Sequence, residues 1–424
     1  MESTKDGFDS SFLYYIFDVL FASRAIYGLL KAYFAGKFER LRLQEQQRLQ
    51  RKPVRVYMDG CFDMMHFGHA NALRQAKALG DYLVVGLCSD EEIIRHKGPP
   101  VMNEKERYAA VASVKWVDEV IFGVPYEVTA EFLDRLIREY HIDYIVHGDD
   151  ACYSANGQDA YYAVKKAGRF KTIKRTEGVS STDLVGRMLL CTRDHHIDNI
   201  HGEHKVSERT GRSSRVFFNE QTDDETSLSK SSTFLPTTRR LIQFAQGGRT
   251  PKPEDKVVYI DGAFDMFHSG HIETLKAAKQ LGDFLLVGIH DDHTVNRYKG
   301  RNFPIMNLHE RTLSVLSCRY VDEVIIGAPW AVTEDMIKTM NISIVCHGTH
   351  WDEPHNNSDG FKLDPYAVPK RMGIYKEIPS SSNLSVMEII DRIVKNRAQF
   401  VTRQQKKQAQ EQQYLETKHF VQEL

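Results

Sequence analysis

Cysteine is scarce in this chain of 424 residues. There are six, at Cys61, Cys88, Cys152, Cys191, Cys318 and Cys346, and no two stand in a CxxC spacing. That excludes a disulfide framework and fits a reduced, cytosolic chain. An excess of one charge is missing too, with 56 Lys and Arg against 57 Asp and Glu. Nothing global favours nucleic acid, so no nucleic-acid partner is expected and an anionic ligand must be held by local charge. A long apolar run free of charge is also absent. The most apolar window, Phe12 to Phe34, is interrupted by Asp18, Arg24 and Lys31. It lacks the basic n-region and small-residue cleavage site of a secretory signal. Tyr and Phe flank it, and Lys37, Arg40, Arg42, Arg48, Arg51 and Lys52 follow. Residues 1–52 therefore read as a membrane-anchor helix, interfacial or imperfectly spanning, with a basic segment on the cytosolic side. A soluble amphipathic helix packed on the body or on a partner is the alternative reading.

What is present is organised around Val54 to Asp81. An apolar run, Val54 to Met58, meets Asp59-Gly60, which predicts a buried strand entering a tight turn. From His69 onward Ala72, Leu73, Ala76 and Leu79 recur at helical spacing and stop at Gly80. Between the two lies His66-Phe67-Gly68-His69. Imidazoles three apart at a helix start share a face beside backbone N–H groups that have no intrahelical partner. Such a terminus favours phosphate, and glycine lets the backbone approach it. Half a metal site or a pair of core histidines are the other readings. No carboxylate or cysteine stands near with familiar zinc spacing, so no metal ligand is named.

The chain then repeats itself. Tyr57 to His66 returns as Tyr259 to His268, and His69 as His271. Lys97-Gly98 returns as Lys299-Gly300, Trp116 to Val120 as Tyr320 to Val324, and His147-Gly148 as His347-Gly348. A period this long makes each copy a domain, not a solenoid unit. Short apolar runs alternating with helical stretches predict βαβ units and a parallel sheet, with ligands at the strand ends, where Gly60, Asp90 and His147 fall. The expected division is an N-terminal segment (1–52), a first domain (53–191) and a linker with a docking stretch (192–250). A second domain (251–396) and a polar helical or frayed tail (397–424) follow.

GCFDMMHFGH, KWVDEV and RTEGVSSTD, in this order and in a tandem arrangement with STFLPTTRR and IMNLHERTLSV, resemble the cytidylyltransferases that activate phosphorylated alcohols with CTP. The resemblance is to their ethanolamine-phosphate branch and covers roughly Val54 to Leu190 and Ser231 to Arg403. It implies an α/β fold of two tandem Rossmann-like nucleotidyltransferase domains, here with the N-terminal apolar helix in addition. It also implies CTP and phosphoethanolamine as substrates, CDP-ethanolamine and pyrophosphate as products, and Mg2+ accompanying CTP. On that reading His66, His69, Lys97 and Arg175 are catalytic, with Lys97 a mobile point charge in a loop after the second strand. Gly60, Cys61, Phe62, Asp149, Thr176, Ser180, Ser181 and Thr182 bind nucleotide. Ser180 to Asp183 would cap a helix in any protein, which is the plainer reading of that stretch. Trp116 either meets the substrate ammonium or packs, and packing is favoured.

In the second copy Ala263, Phe264, His268, His271, Lys299, His347, Gly348 and Thr349 bind nucleotide. The stretch Ser380, Ser381, Ser382, Asn383 and Leu384 does so as well, read as a shortened helix start without the arginine. That copy is expected to bind nucleotide and turn over poorly. A homodimer is an allowed assembly. The location expected is the cytosolic face of the endoplasmic reticulum or mitochondrial outer membrane, otherwise the cytoplasm. Competing readings are a transferase for phosphocholine or glycerol phosphate, an adenylyltransferase, and a membrane-bound nucleotide sensor. An aminoacyl-tRNA synthetase is disfavoured because no KMSKS-like segment is present.

Overall fold

In the computed structural model, residues 31, 33–40, 42, 51–150, 152, 159–176, 178–191, 234–300, 302–350, 364–403 and 421–424 are described. In the first copy the elements are β1 (Arg55–Gly60), α1 (Phe67–Ala78), β2 (Tyr82–Cys88), α2 (Asp90–Lys97) and α3 (Glu104–Ala112). They continue as β3 (Glu119–Val124), α4 (Ala130–Arg138), β4 (Tyr144–Gly148), α5 (Tyr162–Lys166), β5 (Phe170–Ile173) and α6 (Ser181–Cys191). Leu83, Val84, Val85 and Leu87 of β2 are fully buried, the near-continuous apolar run that a strand covered on both faces requires. The sheet is parallel throughout, in the order β3-β2-β1-β4-β5. Strand order reverses between β1 and β4, which opens a crevice at their carboxyl ends. Strand β1 itself runs through Asp59-Gly60, two residues beyond the Met58 that the sequence suggests.

After α7 (Phe234–Ala245) the second copy follows as β6 (Val257–Gly262), α8 (Ser269–Lys279), β7 (Phe284–Ile289), α9 (Asp292–Lys299) and α10 (Leu308–Leu316). It ends with β8 (Glu323–Ile326), α11 (Glu334–Thr339), β9 (Ile342–Gly348), α12 (Ala367–Arg371), β10 (Tyr375–Ile378) and α13 (Val386–Lys395). Its parallel sheet, β10-β9-β6-β7-β8, repeats the first topology. The two parallel-sheet α/β domains are thus as expected. The apolar N-terminal helix falls mostly outside the described residues, as does the linker from 192 to 233. Among the described residues no helix is long and apolar enough to cross a membrane.

The two copies meet across a reciprocal, dimer-like interface. Val114 and Cys318 form an antiparallel bridge, Lys115 N–H donates to Ser317 O (2.9 Å), and Arg319 N–H donates to Ser113 O (2.8 Å). Arg187 of α6 forks onto Glu310 (2.7 and 3.0 Å), and Arg392 of α13 forks onto Glu106 at the same two distances. Each glutamate also closes the capping box of its own helix, accepting from Asn307 or Asn103. Such mutual pairing is the signature of a two-fold contact, here built within one chain. Glu310→Ala removes a cap and the forked partner of Arg187, whose guanidinium keeps Asp183 (2.6 Å) and Ile305 O. It is expected to lower unfolding free energy by about 2 kcal/mol, measured by urea denaturation.

At the end of α7, Phe244 is fully buried and meets Trp116 edge-on at 5.1 Å. Trp116 is therefore a packing residue. The polar tail needs correction in its described parts. Phe400 is buried in the core between the copies with Met64, Met102 and Met306. Farther along, Arg74 of α1 donates to Leu424 O (2.6 Å) and Asn71 donates to Glu423 Oε1 (3.0 Å).

Candidate active site

The site grows from the β1–α1 junction. His66 is the N-cap of α1, and its Nδ1 accepts from Gly68 N–H at 3.1 Å. An Nδ1 that accepts must leave the ring proton on Nε2, so His66 presents a neutral donor. His69 stacks on it with ring centres 3.9 Å apart. A Cβ at Gly68 would lie 2.9 Å from the His66 ring and from Val179, so only glycine fits there. Phe62 and Met64 hold the left-handed conformation at φ 48° and 47°, strain that the surrounding contacts must hold in place. Asp63 supplies one of them by accepting from Val101 N–H (3.0 Å) and Met102 N–H (2.9 Å). Buried Arg107 supplies another by donating to Cys61 O at 2.8 Å.

The four residues read as catalytic converge here. Burial holds His66 well below the usual imidazole range, and the neighbouring His69 and Arg175 add to the effect. Burial pushes His69 down to about 4, helped by the charges of Lys97 and Arg175. Both rings are neutral at physiological pH. His69 Nδ1 is buried and has no hydrogen-bond partner among the described residues. Lys97 sits over the Tyr126 ring at 5.1 Å and is held above the usual lysine range, chiefly by Cys61 with burial opposing. It does not lie in a mobile loop. It is the last residue of α2, which Ser89 caps and which places Asp90, Glu91 and Glu92 in the first turn and Arg95, His96 and Lys97 in the last. That charge order suits the helix dipole, which is why the helix continues to Gly98.

The depressed histidine makes stability depend on pH. The unfolded chain takes up a proton near pH 6.5, while the fold resists until about pH 4, so the unfolded state binds more protons between them. Stability is complete above that window and falls as pH drops through it. His69→Gln, which cannot charge, should gain on the wild type by up to about 3 kcal/mol between pH 7 and pH 4, read by denaturation at both pH values.

Arg175 follows β5. Its N–H donates to Asp149 Oδ1 (2.9 Å), so Asp149 is the anchor of this segment. Thr176 is buried and accepts from Asn71 (2.9 Å), and Lys174 O accepts from Gln75 (2.9 Å). Asn71 and Gln75 are fully buried on α1 and were missed from sequence, although polar residues on the inward face of a helix are a readable signal. Ser180 caps α6, accepting from Asp183 N–H (3.1 Å), and Ser181 donates to Asp63 O (2.9 Å). Thr182 lies in the first turn of α6, and Gly60 ends β1. A cavity of about 550 Å³ opens beside His147, Asp149 and Cys152 at the ends of β4 and β5.

In the second copy His268 caps α8 in the same way (3.2 Å), and its ring centre lies 3.9 Å from that of His271. Here His271 Nδ1 is engaged, accepting from His268 N–H at 3.3 Å. Burial, His268 and Lys299 hold His271 well below the usual range. Lys299 ends α9 over the Phe303 ring, Phe264 repeats the left-handed turn at φ 50°, and buried Arg311 donates to Ala263 O at 2.6 Å. His347 turns its Nδ1 to Gly348 O, as His147 does to Gly148 O.

Two expectations about the closing segment are overturned. Ile173 pairs with Gly148 and Ile378 with Gly348, so the registers coincide and Arg175 is matched by Ser380. Ser380 N–H donates to Thr349 Oγ1 (2.9 Å) where Arg175 N–H donates to Asp149. The segment is therefore not shorter. The cap of α13 is Ser385, accepting from Glu388 N–H at 3.2 Å, so Ser380 to Leu384 form the loop before the helix. Ser385 was passed over because four polar residues precede it, each a plausible cap by type. Ser181 and Thr182 become Val386 and Met387, while Asn71 and Gln75 become Glu273 and Ala277. The first copy alone has the arginine and its braces.

A doubly wound sheet with neutral imidazole donors and fixed cations around one helix terminus defines a nucleotide-binding α/β protein suited to polyphosphate. Comparison with known proteins narrows this. The family described as Cytidylyltransferase-like matches residues 57–187 and again 259–392. The ethanolamine-phosphate cytidylyltransferase of Dictyostelium discoideum is 55% identical over 366 residues, 86% of this chain and 98% of that one. That of Arabidopsis thaliana is also 55% identical, over 88% of this chain and 87% of its own. The Mus musculus enzyme of the same name is 46% identical over 86% and 91%. The chain belongs to the cytidylyltransferase-like family, in its ethanolamine-phosphate branch.

Proposed function

We propose that the first copy transfers the cytidylyl group of CTP to phosphoethanolamine, releasing pyrophosphate and forming CDP-ethanolamine for phosphatidylethanolamine synthesis. The observation that carries this is the meeting of His66, His69, Lys97 and Arg175 at the start of α1. A phosphate oxygen of phosphoethanolamine attacks the α-phosphorus in line, and the bond to pyrophosphate breaks. No protein nucleophile is needed, so the residues act by positioning and by neutralising charge. His66 Nε2–H and His69 donate to the α-phosphate, Lys97 meets the phosphates as a point charge, and Arg175 holds the departing pyrophosphate. The neighbouring loop residues Gly60, Cys61 and Phe62 and the α6 hydroxyls frame the nucleotide. The test is pyrophosphate release with CTP and, in turn, phosphoethanolamine, phosphocholine and glycerol phosphate, repeated with ATP. Fastest release with any pair other than CTP and phosphoethanolamine would overturn the assignment.

Magnesium would enter with the triphosphate. Of the buried carboxylates of the cradle, Asp63 is taken up by two backbone N–H groups, while Asp59 accepts from the Tyr161 hydroxyl (2.6 Å) at Oδ1 and keeps Oδ2 without a hydrogen-bond partner among the described residues. Among the described residues no cluster of three metal-ligating side chains forms. These residues therefore do not make a resident cage, and no step is assigned to the ion. The second copy holds a cytidine nucleotide and turns over slowly, lacking the arginine.

The segment 1–52 anchors the enzyme to the cytosolic face of the endoplasmic reticulum or the mitochondrial outer membrane. Its aromatic flanks and basic neighbours support this reading. Deleting Met1 to Gly36 should move the protein from the vesicle pellet to the supernatant with activity retained. A full-length chain that never pellets with vesicles would rule the anchor out. Pairing of two whole chains would add to the internal contact, and light scattering reads it.

A further inference from the structure

Cys61 and Cys88 lie at the ends of paired strands. The β1–β2 register closes at Gly60 against Leu87, which makes Cys61 and Cys88 the next facing positions. Neighbouring strands run about 4.8 Å apart, inside the Cα separation of about 4.4–6.8 Å that a disulfide spans. Both side chains belong to one apolar cluster, Cys88 buried and Cys61 half-buried. We propose that Cys61 and Cys88 are a peroxide-responsive dithiol that closes to a disulfide and shuts the first site.

The electrostatics fit the roles. A hydrogen bond from Cys88 brings the Cys61 thiol down to about 6, with burial opposing and Lys97 assisting. Asp63 works against the thiolate and Arg403 for it. Cys88 is held far above the usual range by sharing its proton with Cys61 and by burial. Burial pushes Cys318 and Cys346 up to about 12 and raises Cys152 as well. Among these, Cys61 is the one whose surroundings favour the thiolate, with the Lys97 ammonium beside it. A low-pKa, accessible cysteine beside a resolving partner is the arrangement that responds to peroxide. The second copy has Ala263 and His290 at these positions, so the device belongs to the first copy alone.

The chemistry balances with hydrogen peroxide as oxidant. The Cys61 thiolate attacks one oxygen, the O–O bond breaks, and hydroxide leaves as water after taking a proton. Cys88 then attacks the Cys61 sulfenic sulfur, losing its proton as the S–O bond breaks, and a second water departs. Two thiols and one peroxide give one disulfide and two waters. Closure draws the Cys61 loop, which frames the nucleotide, toward β2, against the hold of Arg107 on its carbonyl.

The inference about activity rests on the proposed reaction, whereas the disulfide does not. The full chain is treated with hydrogen peroxide, blocked with N-ethylmaleimide and digested for mass spectrometry. A Cys61–Cys88 linked peptide is expected. Pyrophosphate release should fall about tenfold or more, because closure pulls the Cys61 loop that frames the nucleotide out of place, and return with dithiothreitol. Cys88→Ser should keep the activity of the reduced enzyme, form no linked peptide, and fail to recover after prolonged peroxide, because an unresolved sulfenic acid oxidises further. Absence of the linked peptide overturns the dithiol, and a linked peptide with full activity overturns the shut-off. Equal recovery of Cys88→Ser overturns the resolving role. A linked peptide in a chain inactive even when reduced upholds the dithiol and counts against the reaction instead.

Discussion

His66→Ala or His69→Ala is expected to lower kcat by about two to three powers of ten, the usual loss when one preorganised donor to a developing charge is removed. The structure sharpens why. Both rings are buried and neutral, and the tautomer of His66 is set by the N–H of Gly68, so its donor points outward before substrate arrives. A neutral donor stabilises the α-phosphate without competing for protons, so the loss in each variant should be nearly constant from pH 6 to pH 8. Steady-state kinetics with CTP and phosphoethanolamine across that range would check it. Unchanged turnover in both variants would remove the histidines from the mechanism. A loss confined to one end of the range would mean that an imidazolium acts instead.

Arg175→Ser makes the first copy resemble the second at one atom-for-atom matched position, and it should remove most turnover while nucleotide still binds. An arginine on phosphate forms charge-assisted, often bidentate bonds, about twice as strong as neutral ones. Its loss is felt most where charge accumulates, on the leaving pyrophosphate, so kcat should fall about a hundredfold or more with a smaller change in nucleotide affinity. The backbone bond from residue 175 to Asp149 survives the change, so the segment keeps its place. Isothermal titration with CTP, beside turnover, separates the two effects. Near-normal turnover in Arg175→Ser would mean that the second copy is catalytic and that the roles of the copies are misassigned.

The division of labour between copies was legible only in part. The missing arginine could be seen in the sequence, but its partner could not. Ser380 takes its place because β5 and β10 end in the same register, a fact about strand pairing that no run of serines reveals. The braces of the arginine segment show in the sequence only as polar positions on a helix, for a related reason. Asn71 and Gln75 look like ordinary polar positions until α1 is laid against the sheet and buries them completely.

By itself the sequence determined the strand at Val54 to Met58, the helix after His66, the tandem repeat and the parallel class of both sheets. These rest on local signals: apolar period, turn chemistry and capping types, all written within a few residues. Tertiary structure alone decided which charges meet the histidines, that the two copies clasp through Arg187 and Arg392, and that Cys61 faces Cys88. Each of these depends on strand order and on contacts between residues far apart in the chain. Chain period carries no information about that, because a sheet places neighbours by its topology and not by their distance in sequence.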